Sequence, residues 1–221
     1  DGRRVYTLTT DAELPRGAIG TRRVEEQEGQ VRLRSARPLV DALFALAIAE
    51  AEENATSVLN DAGFDGEQAC TCYTTGALWD WVWTRDIAYA VDLALAWLDP
   101  ERAEASLRFK LSEEKQGGGL QVVQDTGTGG SWPVSSDRAV WARGAMALLP
   151  FLSESSAFSA SVQEALLQTN ARDKAYLFDP RDGLYRGETS FLDWREQSYP
   201  TWTAQDTVHI AMGKALSTNL A

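Results

Sequence analysis

The chain has 221 residues, 44% of them hydrophobic and 24% charged, which are ordinary proportions for a soluble globular protein. Its formal net charge of −11 argues against nucleic acid or an anionic membrane as its main partner, because both favour a basic protein surface. The longest strongly apolar run, Leu43 to Ala49, is too short to span a bilayer.

The first part of the chain predicts an arm followed by helices. Residues 1–35 are charged and irregular, so we expect an arm that can include one short strand. Pro38 suits the first turn of a helix, and apolar residues at helical spacing extend that helix to about Leu59. Thr84 is a suitable N-cap for the next helix, which ends at Asp99 and the proline that follows it. A short antiparallel helix is expected after that proline.

The two cysteines, Cys70 and Cys72, lie in a predicted loop over residues 61–75. Cysteines this close in sequence rarely meet the geometry of a disulfide, and two ligands alone do not make a zinc site. Because the chain has a single histidine, His209, we expect packed or partly exposed thiols and no metal centre.

The second part predicts three more helices separated by long loops. Residues 117–132 form a glycine-rich loop that is too long for a plain connection and is therefore a candidate functional loop. A third long helix is expected to begin at Ser135 or Ser136, and a fourth covers about residues 159–171. Together with the preceding elements, they predict an arm over 1–35 and one helical domain over 36–221.

The last part of the chain predicts a turn, a loop and a final helix. Residues 176–186 contain the run Asp-Pro-Arg-Asp-Gly, a strong turn signal between two short extended pieces. Thr203, with an aspartate three residues later, opens the final helix by a capping-box pattern. That helix reaches Ala221 without a C-cap, so we expect the domain to continue beyond this chain.

The first candidate site is the segment from Trp79 to Tyr89. Its tryptophans, Trp79, Trp81 and Trp83, occupy alternate positions and face one way if the segment is extended. Indole rings fill cores and also stack against the faces of sugar rings. Two interpretations remain for Asp86, the carboxylate that follows in the sequence.

Asp86 and Arg85 lie in the first turn of the predicted helix. In the first reading Asp86 is a carboxylate stabilised by the helix dipole. In the second reading Arg85 and Asp86 bind sugar hydroxyls, with Trp81 or Trp83 as a stacking floor.

The second candidate site is the glycine-rich loop and the helix start that follows it. It lacks the lysine and the preceding strand of a phosphate-binding loop, so a nucleotide site is not expected. The glycines either let the backbone approach a ligand or form a flexible connector. The substrate-binding candidates here are Asp125, Trp132, Asp137 and Arg138.

The third candidate site is the segment 186–202, which combines carboxylates, arginine and aromatic rings. Glycosidic cleavage uses two carboxyl groups, one of which is protonated to assist the leaving oxygen. A neighbouring ring and partial burial raise a carboxyl pKa into that range. Asp193, between Leu192 and Trp194, is favoured over Glu188 as this acid. The binding candidates here are Trp194, Arg195, Glu196 and Trp202.

The order of these three segments resembles six-hairpin (α/α)6-barrel glycosidases of the trehalase and glucoamylase type. The third segment is similar to the trehalase pattern Glu-Ser-Gly-Trp-Asp, whose aspartate is the general acid, with one extra residue between Glu188 and Asp193. The first segment is similar to an aromatic-Trp-Asp pattern that lines the sugar site, with Thr84 and Arg85 inserted. From Trp83 to Ala221 the chain resembles bacterial proteins described as six-hairpin glycosidase-like.

This resemblance implies an all-α fold with a few short strands, the (α/α)6 toroid, of which the chain would hold about the N-terminal half. It implies an inverting glycoside hydrolase that cleaves an O-glycosidic bond of an oligosaccharide. Asp193 would be the general acid, while Asp86 and Arg85 would hold the sugar in the cleaving subsite. The catalytic base would lie in later hairpins, so we expect this chain alone to be inactive. Its expected partners are a carbohydrate and either the missing half-barrel or a second copy.

Two other functional classes stay open. One is a sugar-binding or scaffold protein with a degenerate site, which fits the absence of a recognisable base. The other is a helical lyase or epimerase, which one histidine serves poorly. The predicted hydrolysis needs no cofactor. Related bacterial proteins are exported, which favours a periplasmic or secreted protein over a cytoplasmic one.

Overall fold

The structure is a computed structural model of the chain. It describes residues 2–12, 20–59, 68–76, 79, 81–113, 119–123, 137–153, 157–187, 200–203 and 206–220. The chain divides into two compact units, Asp1–Ala55 and Thr56–Ala221. The first unit contains the segment predicted as an arm and the first long helix. None of the described helices is long and apolar enough to cross a membrane.

The first unit is a hairpin followed by one helix. Its elements are β1 (Val5–Thr9), β2 (Thr21–Glu25) and α1 (Pro38–Glu53). The two strands are antiparallel, with Val5 opposite Glu25 and Thr9 opposite Thr21, and α1 packs on both. The helix begins at Pro38, as predicted from the fixed φ of proline.

Two buried carboxylates organise the first unit. Glu26 accepts paired hydrogen bonds of 2.7 and 2.6 Å from the Arg34 guanidinium and one of 2.9 Å from the backbone N–H of Arg4. Asp41 accepts bonds from the backbone N–H and hydroxyl of Ser35, both 2.7 Å. The hydrogen bonds from Arg34 are the main reason why the pKa of Glu26 is lowered to about 2.

The second unit contains most of the helices and three small sheets. Its helices are α2 (Thr84–Ala90), α3 (Ala96–Leu98), α4 (Pro100–Phe109), α5 (Asp137–Leu148), α6 (Phe158–Tyr176), α7 (Thr207–Met212) and α8 (Leu216–Leu220). Its strands are β3 (Ala55–Leu59), β4 (Gln68–Tyr73), β5 (Leu111–Ser112), β6 (Gln121–Val122), β7 (Phe178–Asp179) and β8 (Leu184–Tyr185). A π-helical turn, Val91–Leu95, joins α2 to α3, and each strand pairs with its neighbour in sequence.

The core of the second unit lies around α5. A Cβ atom added to Gly144 would stand 2.8 Å from the carbonyl oxygen of Ala88, so only glycine lets α5 approach α2 this closely. Trp141 is fully buried, and its Nε1–H donates to the carbonyl of Leu107 in α4 at 3.1 Å. Its ring meets Phe158 of α6 edge-on, at 6.2 Å between centroids. One side of α5 thus contacts three other helices.

The prediction of an all-α fold, and of half an (α/α)6 toroid of helical hairpins, is wrong. The described residues form four two-stranded sheets in addition to the helices. The segment 55–59, predicted as the end of the first helix, is strand β3 because Asn54 ends α1 and is followed by β-favouring threonine and valine. The predicted loop 61–75 contains strand β4.

Both cysteines lie in β4, not in a loop. Cys70 and Cys72 are two positions apart, so their side chains project to the same face of the strand. Their Cα atoms are 5.1 Å apart and the two sulfur atoms are joined, a Cα distance that disulfides commonly span. The expectation of two separate thiols is therefore wrong in this structure.

Two predicted helix caps also differ. Thr84 begins α2, but its hydroxyl donates to the carbonyl of Val123 at 2.8 Å and caps nothing. Thr203 lies in a turn before α7, whose cap is Asp206, which accepts from the N–H groups of Val208 and His209. The predicted end at Asp99 is confirmed, because Asp99 caps α4 and a proline follows.

Candidate functional site

Three tryptophans form a cluster immediately before α2. The ring centroids of Trp79 and Trp83 are 5.2 Å apart, and Trp81 lies 6.0 and 6.1 Å from them. Each ring is partly exposed, whereas Val82 between them is buried. The three rings lie close together, and the prediction that alternation in an extended segment places them on one side stays a prediction. We call Trp79, Trp81 and Trp83 the tryptophan cluster.

Thr75 and Gly76 hold the backbone of the tryptophan cluster through hydrogen bonds. The N–H of Thr75 donates to the carbonyl of Trp81 at 2.9 Å, and its hydroxyl donates to the same oxygen at 3.0 Å. The N–H of Trp83 donates to the Thr75 hydroxyl at 3.4 Å. The N–H of Trp79 donates to Gly76 at 2.8 Å. These bonds use the backbone groups of the three tryptophans and leave their indole rings unoccupied by them.

An ion pair connects the start of α2 to the start of α5. The Arg85 guanidinium lies 3.2 Å from Asp137, and their side chains are 15% and 3% exposed. Both were substrate-binding candidates, and the structure brings them together although 52 positions separate them. Asp86 lies beside Arg85 in the first turn of α2 and is partly buried. Both readings of Asp86, as a helix-stabilising carboxylate and as a sugar ligand, stay open.

Arg138, the next binding candidate, connects α5 to α6. Its buried guanidinium donates two hydrogen bonds to Asp173, at 2.6 and 3.3 Å. Burial raises the pKa of Asp173 although Arg138 acts to lower it. Asp173 is therefore a partly exposed carboxyl group that holds its proton to higher pH than an ordinary aspartate. Sequence reasoning missed it, because it lies among polar residues near the end of a long helix.

Lys110 is a second residue that sequence reasoning missed. It ends α4 and is fully buried, and its ammonium donates to the carbonyl of Val82 at 2.8 Å. From the sequence, a lysine between Phe109 and Leu111 is expected at the surface, since lysine is almost never fully buried. No signal in the sequence alone would have found it.

Trp202 belongs to a different contact. Its ring is 74% exposed and meets the ring of His209 edge-on at 5.6 Å between centroids. His209 Nδ1 lies 2.6 Å from a carboxylate oxygen of Asp206, an interaction that contributes to lowering the pKa of Asp206 after the hydrogen bond from the His209 backbone.

The remaining candidates lie outside the described residues. These are both catalytic candidates, Asp193 and Glu188, and the binding candidates Asp125, Trp132, Trp194, Arg195 and Glu196. Their roles stay predictions from the sequence. Within the described part of the chain, no group of three or more His, Cys, Asp and Glu side chains could hold a metal ion.

Comparison with known proteins found no matching protein family, no matching curated protein and no matching solved structure. The resemblance to glycosidases therefore rests on the residues quoted for it.

Proposed function

We propose that this protein binds carbohydrate at the tryptophan cluster. The observation that carries the proposal is the set of three partly exposed tryptophans whose ring centroids lie 5.2 to 6.1 Å apart. Trp141 is an example of a tryptophan that fills the core of the same chain, since it is fully buried and its indole N–H donates a hydrogen bond. Rings that filled the core would resemble Trp141, and rings that bind a ligand must keep an open face.

The neighbouring charges support a sugar as the ligand. The Arg85 side chain, 15% exposed, offers hydrogen-bond donors whose charge is offset by the almost fully buried Asp137. Sugar hydroxyls both donate and accept hydrogen bonds, and such a pair suits them better than it suits a phosphate or a carboxylate. The net charge of −11 also disfavours an anionic ligand.

We propose further that the bound sugar is the substrate of an inverting glycoside hydrolase, with Asp193 as its general acid. The proposal of hydrolysis rests on the sequence of residues 186–202 and does not require an (α/α)6 barrel. The catalytic base is not assigned. The second candidate function is carbohydrate binding without hydrolysis. It is favoured by Arg85, Asp137 and Arg138, because all three are engaged in ion pairs of the fold.

Binding is tested by titrating the chain with a panel of disaccharides and following tryptophan fluorescence. An aromatic contact contributes about 0.5–1.5 kcal/mol beyond its area, and about 1.4 kcal/mol corresponds to tenfold in affinity. We therefore expect Trp81→Ala and Trp83→Ala each to weaken binding by up to about tenfold. Trp97→Ala is the matched control, because Trp97 is also partly exposed but lies in α3. Equal affinity in all four proteins would refute the site.

Hydrolysis is tested separately, on any sugar that binds. Release of reducing ends that Asp193→Asn abolishes, with a loss of rate at alkaline pH in the unchanged protein, would support the general acid. Binding without any release of reducing ends would favour the second candidate.

A further inference from the structure

A closed ring of buried hydrogen bonds lies behind the tryptophan cluster. The Lys110 ammonium donates to the carbonyl of Val82 at 2.8 Å. The carbonyl of Lys110 accepts from the N–H of Val123 at 2.7 Å, and the carbonyl of Val123 accepts from the Thr84 hydroxyl at 2.8 Å. Thr84 follows Val82 by two residues, so the chain itself closes the ring. All four residues are buried.

The ring fixes the cluster from the side opposite Thr75. Successive carbonyls of an extended segment point in opposite directions. The carbonyl of Trp81 is held by Thr75, and the next carbonyl, that of Val82, is held by Lys110. The backbone between Trp81 and Trp83 is thus fixed from both sides, which sets the spacing of the two rings.

The cost of burying Lys110 indicates a specific role for it. Removing an ammonium from water is strongly unfavourable unless it is hydrogen-bonded. A simple apolar contact at this position would need no charge. Lysine has the length to reach from the end of α4 to a carbonyl outside that helix, and its bond to Val82 is charge-assisted.

The same ring includes a residue of the predicted glycine-rich loop 117–132. Val123 lies in the first part of that loop and is the last described residue before its remaining part. Its two backbone groups are both used in the ring, one by Lys110 and one by Thr84. The position of Val123 is therefore coupled to the backbone of the tryptophan cluster.

We propose that Lys110 is a positioning residue for the carbohydrate site: through the carbonyl of Val82 it holds Trp81 and Trp83 at a fixed spacing, and through Val123 it fixes one point of the predicted glycine-rich loop 117–132. The inference deepens the proposed function and rests on it for the identity of the ligand. Lys110 itself touches no sugar in this scheme.

The test compares Lys110→Met with Lys174→Met in the full chain. Methionine keeps most of the volume of the lysine stem and removes the ammonium, and Lys174 is an exposed lysine of α6. Near-ultraviolet circular dichroism reports fixed packing of aromatic rings. The contribution of the cluster is identified first as the difference between the unchanged protein and Trp83→Phe.

We expect Lys110→Met to keep its helical far-ultraviolet signal, to lose most of the cluster contribution and to bind disaccharide at least tenfold more weakly. Lys174→Met should match the unchanged protein in all three measurements. A Lys110→Met protein with an intact cluster signal and unchanged affinity would overturn the inference.

A second variant, Thr84→Val, tests the inference if Lys110→Met does not fold. Thr84→Val preserves shape and removes only the bond to Val123, so it should weaken the cluster signal and the affinity in the same direction but less. An unaltered signal and affinity in Thr84→Val, with Lys110→Met unfolded, would assign Lys110 to folding alone and overturn the inference. If no disaccharide binds to the unchanged protein, the proposed function fails, whereas the cluster signal still decides whether Lys110 positions the rings.

Discussion

Two regions of the second unit, the helices around α5 and the segment from Phe178 to Leu220, are held together by different kinds of contact. Around α5 the contacts are mainly apolar and close: Gly144 lies against the backbone of Ala88, and Trp141 is fully buried. Among the described residues of the later segment, most of the large apolar side chains are exposed. Its exposed residues include Val208, Met212, Leu216 and Leu220.

Charge takes the place of apolar burial in the later segment. The buried carboxylate of Asp179 is met by three cationic side chains: Arg181 at 2.8 Å, Lys214 at 2.9 Å and Arg186 at 3.0 Å. Lys214 also pairs with Asp182. The hydrogen bond from Arg181, followed by that from Lys214, holds the pKa of Asp179 well below its usual range. The comparison indicates that lowering the pH should weaken this segment through Asp179, whereas the apolar contacts of Trp141 and Gly144 do not titrate.

The largest effect is expected in the apolar region. Trp141→Ala removes a buried indole, and such changes cost about 3–5 kcal/mol because a cavity remains. Its hydrogen bond to Leu107 and its contact with Phe158 are lost as well. Urea unfolding followed by far-ultraviolet circular dichroism measures the loss. Trp97→Ala, on an exposed tryptophan, is the control, and an equal loss in both variants would contradict the assignment of the core.

A smaller effect is expected at the crossing of α2 and α5. The Cβ atom of Gly144→Ala would meet backbone atoms of Ala88 at 2.8 and 2.9 Å, and overpacking of this kind costs about 1–3 kcal/mol. Alanine regains about 1 kcal/mol of helix propensity, so a net loss of up to roughly 2 kcal/mol should remain. Gly76→Ala is the matched control, since nothing lies within 4 Å of its added atom. A stabilised Gly144→Ala protein would show that the helices are not in close contact.

Local sequence signals predicted the elements whose cause is local. The fixed φ of Pro38 marks the start of α1, and Asp99 marks the change from one helix to the next. The run from Asp179 to Gly183 forms the turn between β7 and β8, where Gly183 has a φ of +76°. In each case neighbouring residues are enough to determine the backbone.

The elements that were missed depend on contacts distant in sequence. Strand β4 is held against α4, where the N–H of Tyr73 donates to the Ser106 hydroxyl at 2.9 Å. Burial of Lys110 depends on a carbonyl 28 positions earlier. The hydrophobic periodicity of a segment contains no information about contacts with distant residues. A short apolar stretch is therefore predicted as helix or loop from its sequence.

In the candidate site, too, contacts between residues distant in sequence were not predicted. Alternation alone predicted that the three tryptophans share one side. Arg85 and Asp137 were both selected as binding residues, yet their pairing was not predicted, because it depends on how α2 meets α5. The catalytic assignment to Asp193 rests on sequence alone.

A pH-dependent effect is expected in the charged segment. Because folding lowers the pKa of Asp179, its contribution to stability is present above its unfolded pKa of about 3.9 and is lost as pH falls further. Asp179→Asn should therefore lower protection of residues 178–187 and 206–220 in amide hydrogen exchange at neutral pH, with a smaller change in global unfolding than Gly144→Ala. Asp92→Asn, which loses only one partner, Arg143, is the control. Unchanged protection would mean that apolar contacts hold the segment.

The smallest effect is expected at Glu26, a buried carboxylate of the first unit. Glu26 has one guanidinium partner, Arg34, whereas Asp179 has three cationic partners. Its pKa is lowered from 4.5 to about 2, so the stability it contributes is complete above about pH 4.5 and disappears towards pH 2. Glu26→Gln should therefore be less stable than the unchanged protein at neutral pH and equally stable near pH 2. Its neighbour Glu25 is half exposed, so Glu25→Gln should follow the unchanged protein throughout. Thermal unfolding between pH 2 and 7 measures all three proteins, and a difference that is constant across this range would show that Glu26 acts through packing and not through its charge.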